Sequence, residues 1–485
     1  MKGWDMCGIF GFTGGDHAAD MTLLGLFCLQ HRGQESSGIA VWNKNRPFGE
    51  RVFCQKRVGY VSHLKDKLQK EDCSGTVAIG HVRYGTTGGS GLANAHPLVR
   101  KINGSTVAIV HNGDLTKVDY EGKTYTIDAF RSLLQGEGIP FETGSDTEII
   151  LHLIAKARGD GIVSRIVSVL NSLHGAFSLL ILWEGHLIAV RDPWGFRPLW
   201  IGKHNGGYVF SSEDYPYLQL NMHPIREIQP GEIVIVTPDN NVIFEQIQRA
   251  VVRQSFCSFE FVYFARPDSH IYGQSVSSVR KRFGKKLAQE ILLSGEMPTI
   301  EKVVSVMDSG KTGSLAFAKE LYRQMIVEHL RCGKPLDEIP EFPYDYGLVR
   351  NHYSGRNFIT PKDREKDVDL KHNVDQDCVC GFHIGSGDDS IVRATTAKKH
   401  AEKYRKAGAK SITTLVFAPP VKHPCFFGLD TKRIEELAAA TMSEEEIRKA
   451  IGADYLFYLS LEGFKECLGC WENFCTACFD GTYPI

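Results

Sequence analysis

Cys7 stands in the run Met6-Cys7-Gly8-Ile9-Phe10-Gly11-Phe12, where removal of Met1 to Met6, or of Met6 alone if translation begins there, makes it the first residue. An N-terminal cysteine carries nucleophile and base together, because its α-amine titrates near neutrality within reach of its own sulfur. The bland alternative is a small buried cysteine in a first strand. Four further segments supply what such a nucleophile needs: His31-Arg32-Gly33-Gln34-Glu35-Ser36-Ser37-Gly38, Gly80-His81-Val82-Arg83-Tyr84-Gly85-Thr86-Thr87-Gly88, His111-Asn112-Gly113-Asp114-Leu115 and Gly144-Ser145-Asp146-Thr147-Glu148. Cleavage of a glutamine side-chain amide calls for a thiolate, oxyanion donors, and clamps for an amino acid's carboxylate and ammonium. Arg83 fits the carboxylate through a two-pronged contact, and Asp146 fits the ammonium. Asn112 with the backbone N–H of Gly113 fits an oxyanion hole. Taken singly, these are a surface arginine and an Asn-Gly turn. Together, in this order, they are specific.

A second constellation lies at Asp388-Asp389-Ser390-Ile391-Val392-Arg393-Ala394-Thr395-Thr396. Two adjacent carboxylates can hold a ribose diol and a magnesium ion, while the loop after them offers N–H and hydroxyl donors to a 5-phosphate. Phosphoribosyl diphosphate requires that set, although paired aspartates in a loop are otherwise commonly solvated. Upstream, Val303-Val304-Ser305-Val306-Met307-Asp308-Ser309-Gly310 reads as an apolar strand ending in a polar turn, with a helix-like stretch from Ser314 to Met325. Strand, tight loop and helix make a phosphate-holding geometry. Gly310-Lys311-Thr312 is no P-loop, because Ser305 occupies the position of the first glycine.

The elements that position these residues follow from periodicity. Thr76 to Ile79 and Thr106 to Val110 read as strands, which places Arg83 and Asn112 at strand ends or loops. A helical pattern begins after Gly144, with Ser145 or Asp146 suited to cap it. At 485 residues the chain accommodates two or three domains. Its formal net charge of −1, with no strong basic tract, argues against nucleic-acid binding. No apolar run approaches a membrane span, and the six residues before Cys7 lack the apolar core of a secretory signal, so a cytoplasmic location is expected. The expected linker lies around Pro238 to Gln254.

The first half resembles the class II glutamine amidotransferase family, from Cys7 to about Glu232, including Asn94-Ala95-His96-Pro97, Arg191-Asp192-Pro193-Trp194-Gly195-Phe196-Arg197-Pro198-Leu199 and Ser211-Ser212-Glu213. That resemblance implies an α+β N-terminal-nucleophile glutaminase fold, an αββα sandwich over residues 7–240 behind a propeptide of residues 1–6. It implies Cys7 as nucleophile, Asn112 and Gly113 as oxyanion hole, and Arg32, Arg83 and Asp146 at the glutamine site. The second half resembles the amidophosphoribosyltransferase family through Tyr346-Gly347-Leu348, Asn351-His352-Tyr353-Ser354-Gly355-Arg356-Asn357-Phe358-Ile359, the aspartate loop and Gly452-Ala453-Asp454. This implies an α/β type I phosphoribosyltransferase domain over residues 255–460 and a cysteine-rich tail over 461–485. It also implies a reaction in which ammonia from glutamine displaces pyrophosphate to give 5-phosphoribosylamine, opening purine biosynthesis. Asp308, Ser309, Asp388, Asp389, Ser390, Thr395 and Thr396 would hold phosphoribosyl diphosphate, with Asp388, Asp389 and Ser309 on magnesium. Purine nucleotides as feedback inhibitors and a homotetramer are further implications of the resemblance.

Thirteen cysteines make an odd number, against a complete disulfide framework. Cys467-x-x-Cys470 and Cys475-x-x-Cys478 could form a local zinc site, although their spacing is short for one. The family resemblance instead implies Cys257, Cys425, Cys475 and Cys478 as ligands of a structural [4Fe-4S] cluster. Departures from the family pattern fall in the second half. Ile384-Gly385-Ser386-Gly387 replaces an aliphatic strand, which predicts a loosened sheet. Ala394 replaces a glycine, which matters if that position needs φ > 0. The stretch Thr360-Pro361-Lys362-Asp363-Arg364 is shortened, and extra length lies between Gly310 and Tyr344. An alternative function is therefore a glutaminase whose degenerate partner domain senses nucleotides, acts as a scaffold or accepts another sugar phosphate.

Overall fold

The structure, a computed structural model, describes residues 7–84, 91–249, 251, 253–351, 372–429 and 431–485. The segment ahead of Cys7, Gly85 to Gly88, His352 to Ile359 and the shortened stretch Thr360 to Arg364 lie outside the described residues.

Alternation along the first strand, Gly8–Thr13, builds the first half. Ile9 enters one core between two sheets, whereas Phe10 and Phe12 enter another beneath the helices Ala18–Cys28 and Val61–Leu68. The strand is buried on both faces, so its residues are nearly all apolar or glycine. It sits inside an antiparallel sheet of seven strands, between Val77–Arg83 and Gly207–Ser211. A second seven-stranded antiparallel sheet faces it, centred on Ser105–Tyr120 and Leu173–Trp183. Helices Thr147–Lys156 and Ile162–Leu170 cover its outer side. The result is the αββα sandwich.

Two details differ from the sequence expectation. His111 to Leu115 does not follow a strand but lies within one, because Ser105–Tyr120 pairs with Leu173–Trp183 along most of its 16 residues. Gly113 takes φ +151° there, and a Cβ on it would lie 1.9 Å from the Ala176 carbonyl oxygen, so Asn112-Gly113 is a close approach between strands rather than a turn. Likewise, the expected linker contains the strand Val242–Gln246, paired with Glu232–Val236 through Val234 opposite Phe244. Its β-branched and aromatic residues suit an edge strand, and that exposed position explains why no apolar alternation marks it.

The second half is a five-stranded parallel sheet in the order Tyr344–Asp345, Lys302–Ser305, His383–Asp388, Ser411–Val416, Tyr455–Tyr458. The glycine-rich strand is central and paired on both edges, with Gly385 between Val303 and Thr413. The strand keeps its pairing despite its glycines. Space left by Gly387 is taken by the Phe417 ring and the Ser314 hydroxyl, which a Cβ would approach to 2.8 and 2.1 Å. The flanking helices Val276–Ser294 and Lys311–Arg331 also meet at glycines, a Cβ on Gly284 falling 2.0 Å from the Gly313 carbonyl oxygen.

The tail returns to the seam between the halves. Its helix Leu461–Leu468 stacks Phe464 on Phe283 at 4.8 Å, and Phe474–Cys475 pairs in parallel with Phe256–Cys257. Among the described residues, no helix is long and apolar enough to cross a membrane.

Candidate active site

Cys7 lies at the mouth of the first strand, buried, with its carbonyl oxygen taking the Arg32 Nε–H at 3.0 Å. The register that sets Gly8 opposite Val82 brings Arg83 alongside, and Arg83 is buried with Nη1 3.2 Å from Glu35 Oε1. The facing sheet joins at the same level, since His81 Nε2 lies 3.1 Å from the carbonyl oxygen of His111. Asn112 comes next. Its Nδ2 is buried with no hydrogen-bond partner among the described residues, beside the left-handed Gly113. A buried amide donor without a partner is costly unless a ligand supplies one. Asp146 is tied to this strand, Oδ2 accepting the Leu115 N–H at 2.7 Å. Its carboxylate does not cap the helix Thr147–Lys156; the Ser145 hydroxyl takes the Thr147 N–H at 3.3 Å.

Three histidines support the strand from behind. The His81 and His96 rings are 4.6 Å apart, His96 Nδ1 accepts the His111 N–H at 3.2 Å, and His111 Nδ1 lies 2.9 Å from Thr147 Oγ1. Burial lowers all three imidazoles from their ordinary value, His81 to about 3, so all are neutral at neutral pH.

Arg32 is a correction. Expected at the glutamine site, it is fully buried, with Nη1 2.6 Å from Glu213 Oε1 and Nη2 2.8 Å from Glu260 Oε1. Its donors are committed to those carboxylates and to Cys7, so it positions the nucleophile instead of clamping substrate. Burial opposes charge on Glu213, yet His31 and Arg32 outweigh it and hold the carboxyl well below the usual range. Neither Glu213 nor Glu260 is singled out by residue type alone. Their signal was present: a carboxylate such as Glu260, set between Phe259 and Phe261, must be buried beside a cation.

In the second half a cavity of about 410 Å³ opens at the carboxyl ends of the parallel strands. Asp308, Ser309, Asp388, Asp389, Ser390 and Thr396 line it, together with Arg280 and Arg350, and His31 of the first half reaches its wall. Burial raises the Asp389 carboxyl, against the lowering effect of the Ser309 and Ser390 hydroxyls and Arg280. Asp308 is largely exposed and paired with Arg350. Thr395 opens the helix that follows the loop, with Oγ1 3.3 Å from the Arg393 carbonyl oxygen. Ala394 adopts φ +60°, the left-handed geometry at which an alanine is strained, immediately before the helix Thr395–Lys406.

The four cysteines from three segments converge at the seam. Cys257 and Cys475 are direct neighbours in the parallel pair, and all four belong to, or pack against, one apolar core. Burial pushes every thiol up, Cys425 to about 11, and Cys478 is raised further by Cys475, Cys425 and Cys257. Cys467 is buried near Arg282 and Glu466 rather than with them, and Cys470 is exposed, so the local zinc set is not assembled. Among the described residues no group of three or more His, Cys, Asp or Glu side chains is gathered tightly enough for a single metal ion.

Comparison with known proteins decides the family. The model for class II glutamine amidotransferases matches residues 6–132, and one for a glutamine amidotransferase domain matches 93–219. The amidophosphoribosyltransferase of Bacillus subtilis (strain 168) is 36% identical over 488 residues, covering 99% of this chain and 94% of that protein. That of Methanocaldococcus jannaschii is 37% identical over 500 residues, covering 99% and 98%. The chain belongs to the amidophosphoribosyltransferase family. It is similar along 99% of its length to the solved B. subtilis glutamine phosphoribosylpyrophosphate amidotransferase complexed with ADP and GMP, with a TM-score of 0.81 and 36% identity over 97% of that structure. A structure described as the allosteric regulatory enzyme of purine biosynthesis gives a TM-score of 0.83 at the same identity, covering 96% of that structure. By family the chain is a glutamine-dependent pentosyl transferase of purine biosynthesis.

Proposed function

We propose that the chain converts glutamine and phosphoribosyl diphosphate into glutamate, 5-phosphoribosylamine and pyrophosphate. The shared cavity carries this reading, since one space is lined by His31 of the glutaminase half and by Asp388, Asp389, Ser390 and Thr396 of the other. Arg83 holds the glutamine carboxylate and Asp146 its ammonium. Arg32 fixes the Cys7 carbonyl, and the Cys7 α-amine takes the thiol proton as sulfur attacks the side-chain amide. The oxyanion meets Asn112 Nδ2 and the Gly113 N–H. As the intermediate collapses to the thioester, the α-ammonium returns its proton to the departing nitrogen, which leaves as ammonia, and water then hydrolyses the thioester to glutamate and the free thiol. Ammonia attacks the anomeric carbon in the second site and pyrophosphate departs with the bonding pair.

Asp388, Asp389 and the Ser309 hydroxyl are hard oxygen donors on one cavity wall and suit magnesium, which when bound neutralises the leaving pyrophosphate. Thr395 and Thr396 offer hydroxyls to the 5-phosphate. Cys257, Cys425, Cys475 and Cys478 suit a [4Fe-4S] cluster that ties the tail to the seam. Purine nucleotides as feedback effectors are supported by the ADP and GMP bound to the B. subtilis relative, and a homotetramer belongs to the same reading. The alternative of a degenerate sensing or scaffolding domain rested on the glycine-rich strand, and its pairing on both edges removes that support.

The test uses Cys7→Ala. Glutamine-dependent turnover should vanish while ammonia-dependent release of pyrophosphate continues, because the thiol serves amide cleavage alone. Equal loss of both would break the assignment of separate sites.

A further inference from the structure

A second pair of buried histidines stands beside the transferase cavity, and the reaction above gives them no part. His372 opens the strand His372–Val374, which pairs antiparallel with Leu348–Arg350, and His400 lies on the helix Thr395–Lys406. Both are buried, with ring centroids 5.1 Å apart in an edge-on arrangement. Buried imidazole nitrogens require partners, and here the partners point one way. His372 Nε2 donates to the Met307 carbonyl oxygen at 3.2 Å, while its Nδ1 lies 3.3 Å from His400 Nε2. Lys403 Nζ, from the next turn of the helix, donates to the His372 carbonyl oxygen at 2.6 Å.

Met307 begins the turn that carries Asp308 and Ser309. Because a peptide unit is planar, holding the Met307 carbonyl fixes the plane from which Asp308 departs. Arg350, directly opposite His372 in the two-stranded ribbon, pairs with the Asp308 carboxylate. One ribbon pair thus grips the turn by its backbone and by its side chain, and both members line the cavity. On the helix, Thr396, His400 and Lys403 stand at i, i+4 and i+7, on one face, and Thr396 lines the same cavity. The helix that offers hydroxyls to the 5-phosphate therefore also anchors the turn assigned to the leaving pyrophosphate. His372 is the joint between them.

We propose that His372 is a positioning residue for the leaving group: it holds the turn from Met307 to Ser309 so that the Ser309 hydroxyl faces the departing pyrophosphate, and His400 and Lys403 set His372 from the helix. Charge develops on the leaving oxygen as the bond to the anomeric carbon breaks, so the alignment of this turn counts for more in the transition state than in bound substrate. The proposal rests on the reaction assigned above.

The experiment measures pyrophosphate release with ammonia as nitrogen source, which leaves the glutamine site unread. His372→Leu/His400→Leu removes both rings together, so neither strands the other's nitrogen, and its melting midpoint should stay within about 3 °C of the parent. Its kcat should fall by about tenfold while KM for phosphoribosyl diphosphate moves by less than about threefold. His372→Gln keeps an N–H within reach of the Met307 carbonyl and should recover most of that loss. Lys403→Met, at a half-buried position that the fold tolerates, should lower kcat in the same sense by about threefold. A purely structural role predicts instead that a variant melting like the parent also turns over like it. That result, a rise in KM at unchanged kcat, or no recovery in His372→Gln overturns the proposal. If the double variant melts early, parent-like kcat in Lys403→Met overturns it. A parent that releases no pyrophosphate with ammonia overturns the assigned reaction, and this proposal with it.

Discussion

A single methyl group separates Ala394 from the glycine that its backbone favours. At φ +60° an L-residue with a Cβ is strained, and the strain sits in the loop that faces the sugar phosphate. Ala394→Gly should raise stability by about 1 kcal/mol, less the greater freedom that glycine gives the unfolded chain. Urea unfolding reads the first effect, and a severalfold lower KM for phosphoribosyl diphosphate reads the second. The need for φ > 0 was visible in the sequence as a replaced glycine. The burial of Arg32 was not, because an arginine in a motif reads alike whether it meets substrate or two carboxylates. What distinguishes them is Glu213 and Glu260, roughly two hundred positions away and brought close only by folding.

Strands and their neighbours explain which substitutions the sheets accept. Gly387 departs from an aliphatic pattern, yet Gly387→Val should cost about 3 kcal/mol or more, because the Cβ would collide with Ser314 and the Phe417 ring. A thermal melt of the variant checks this; an unchanged midpoint would mean that Phe417 moves aside freely. Compensation of this kind is invisible along one strand, since the filling residue lies thirty positions further on. The strands themselves were legible where alternation or β-branching was strong. The length of Ser105–Tyr120 was not, because Asn112-Gly113 is locally indistinguishable from a turn and only the pairing with Leu173–Trp183 keeps it extended. Behind that strand, the neutral histidines set a pH dependence. Below about 6.5 the unfolded chain binds protons that folded His81, His96 and His111 refuse, so stability falls with falling pH by about 1.4 kcal/mol per unit for each histidine, until its folded pKa is reached. Urea midpoints taken between about pH 7.5 and 5.5 should fall in that direction, and His81→Gln should flatten the slope.

The halves of the molecule meet across a seam stitched by the tail, and the cysteines there give the whole-chain prediction. Anaerobically prepared protein should hold about four iron atoms per chain with a broad visible absorption, and Cys257→Ser should lose both. Zinc that survives Cys257→Ser but not Cys467→Ser would return the metal to the tail alone. Sequence spacing left both sets open; the parallel pairing of Phe256–Cys257 with Phe474–Cys475 joins members of only one.

That pairing also sets an order of events at birth. Cys257 and Cys475 stand side by side, yet 218 positions of chain separate them, the difference between 475 and 257. At about 5–20 residues per second on the ribosome, Cys257 waits some 10–40 s before its neighbouring strand exists. The glutaminase sandwich can close in that interval, because its strands are complete by Gln246. The strands around the nucleophile are therefore complete before the seam that joins it to the second site can form. A nascent chain interrupted in those seconds has the strands of the amide-cleaving half without the second site that receives its ammonia.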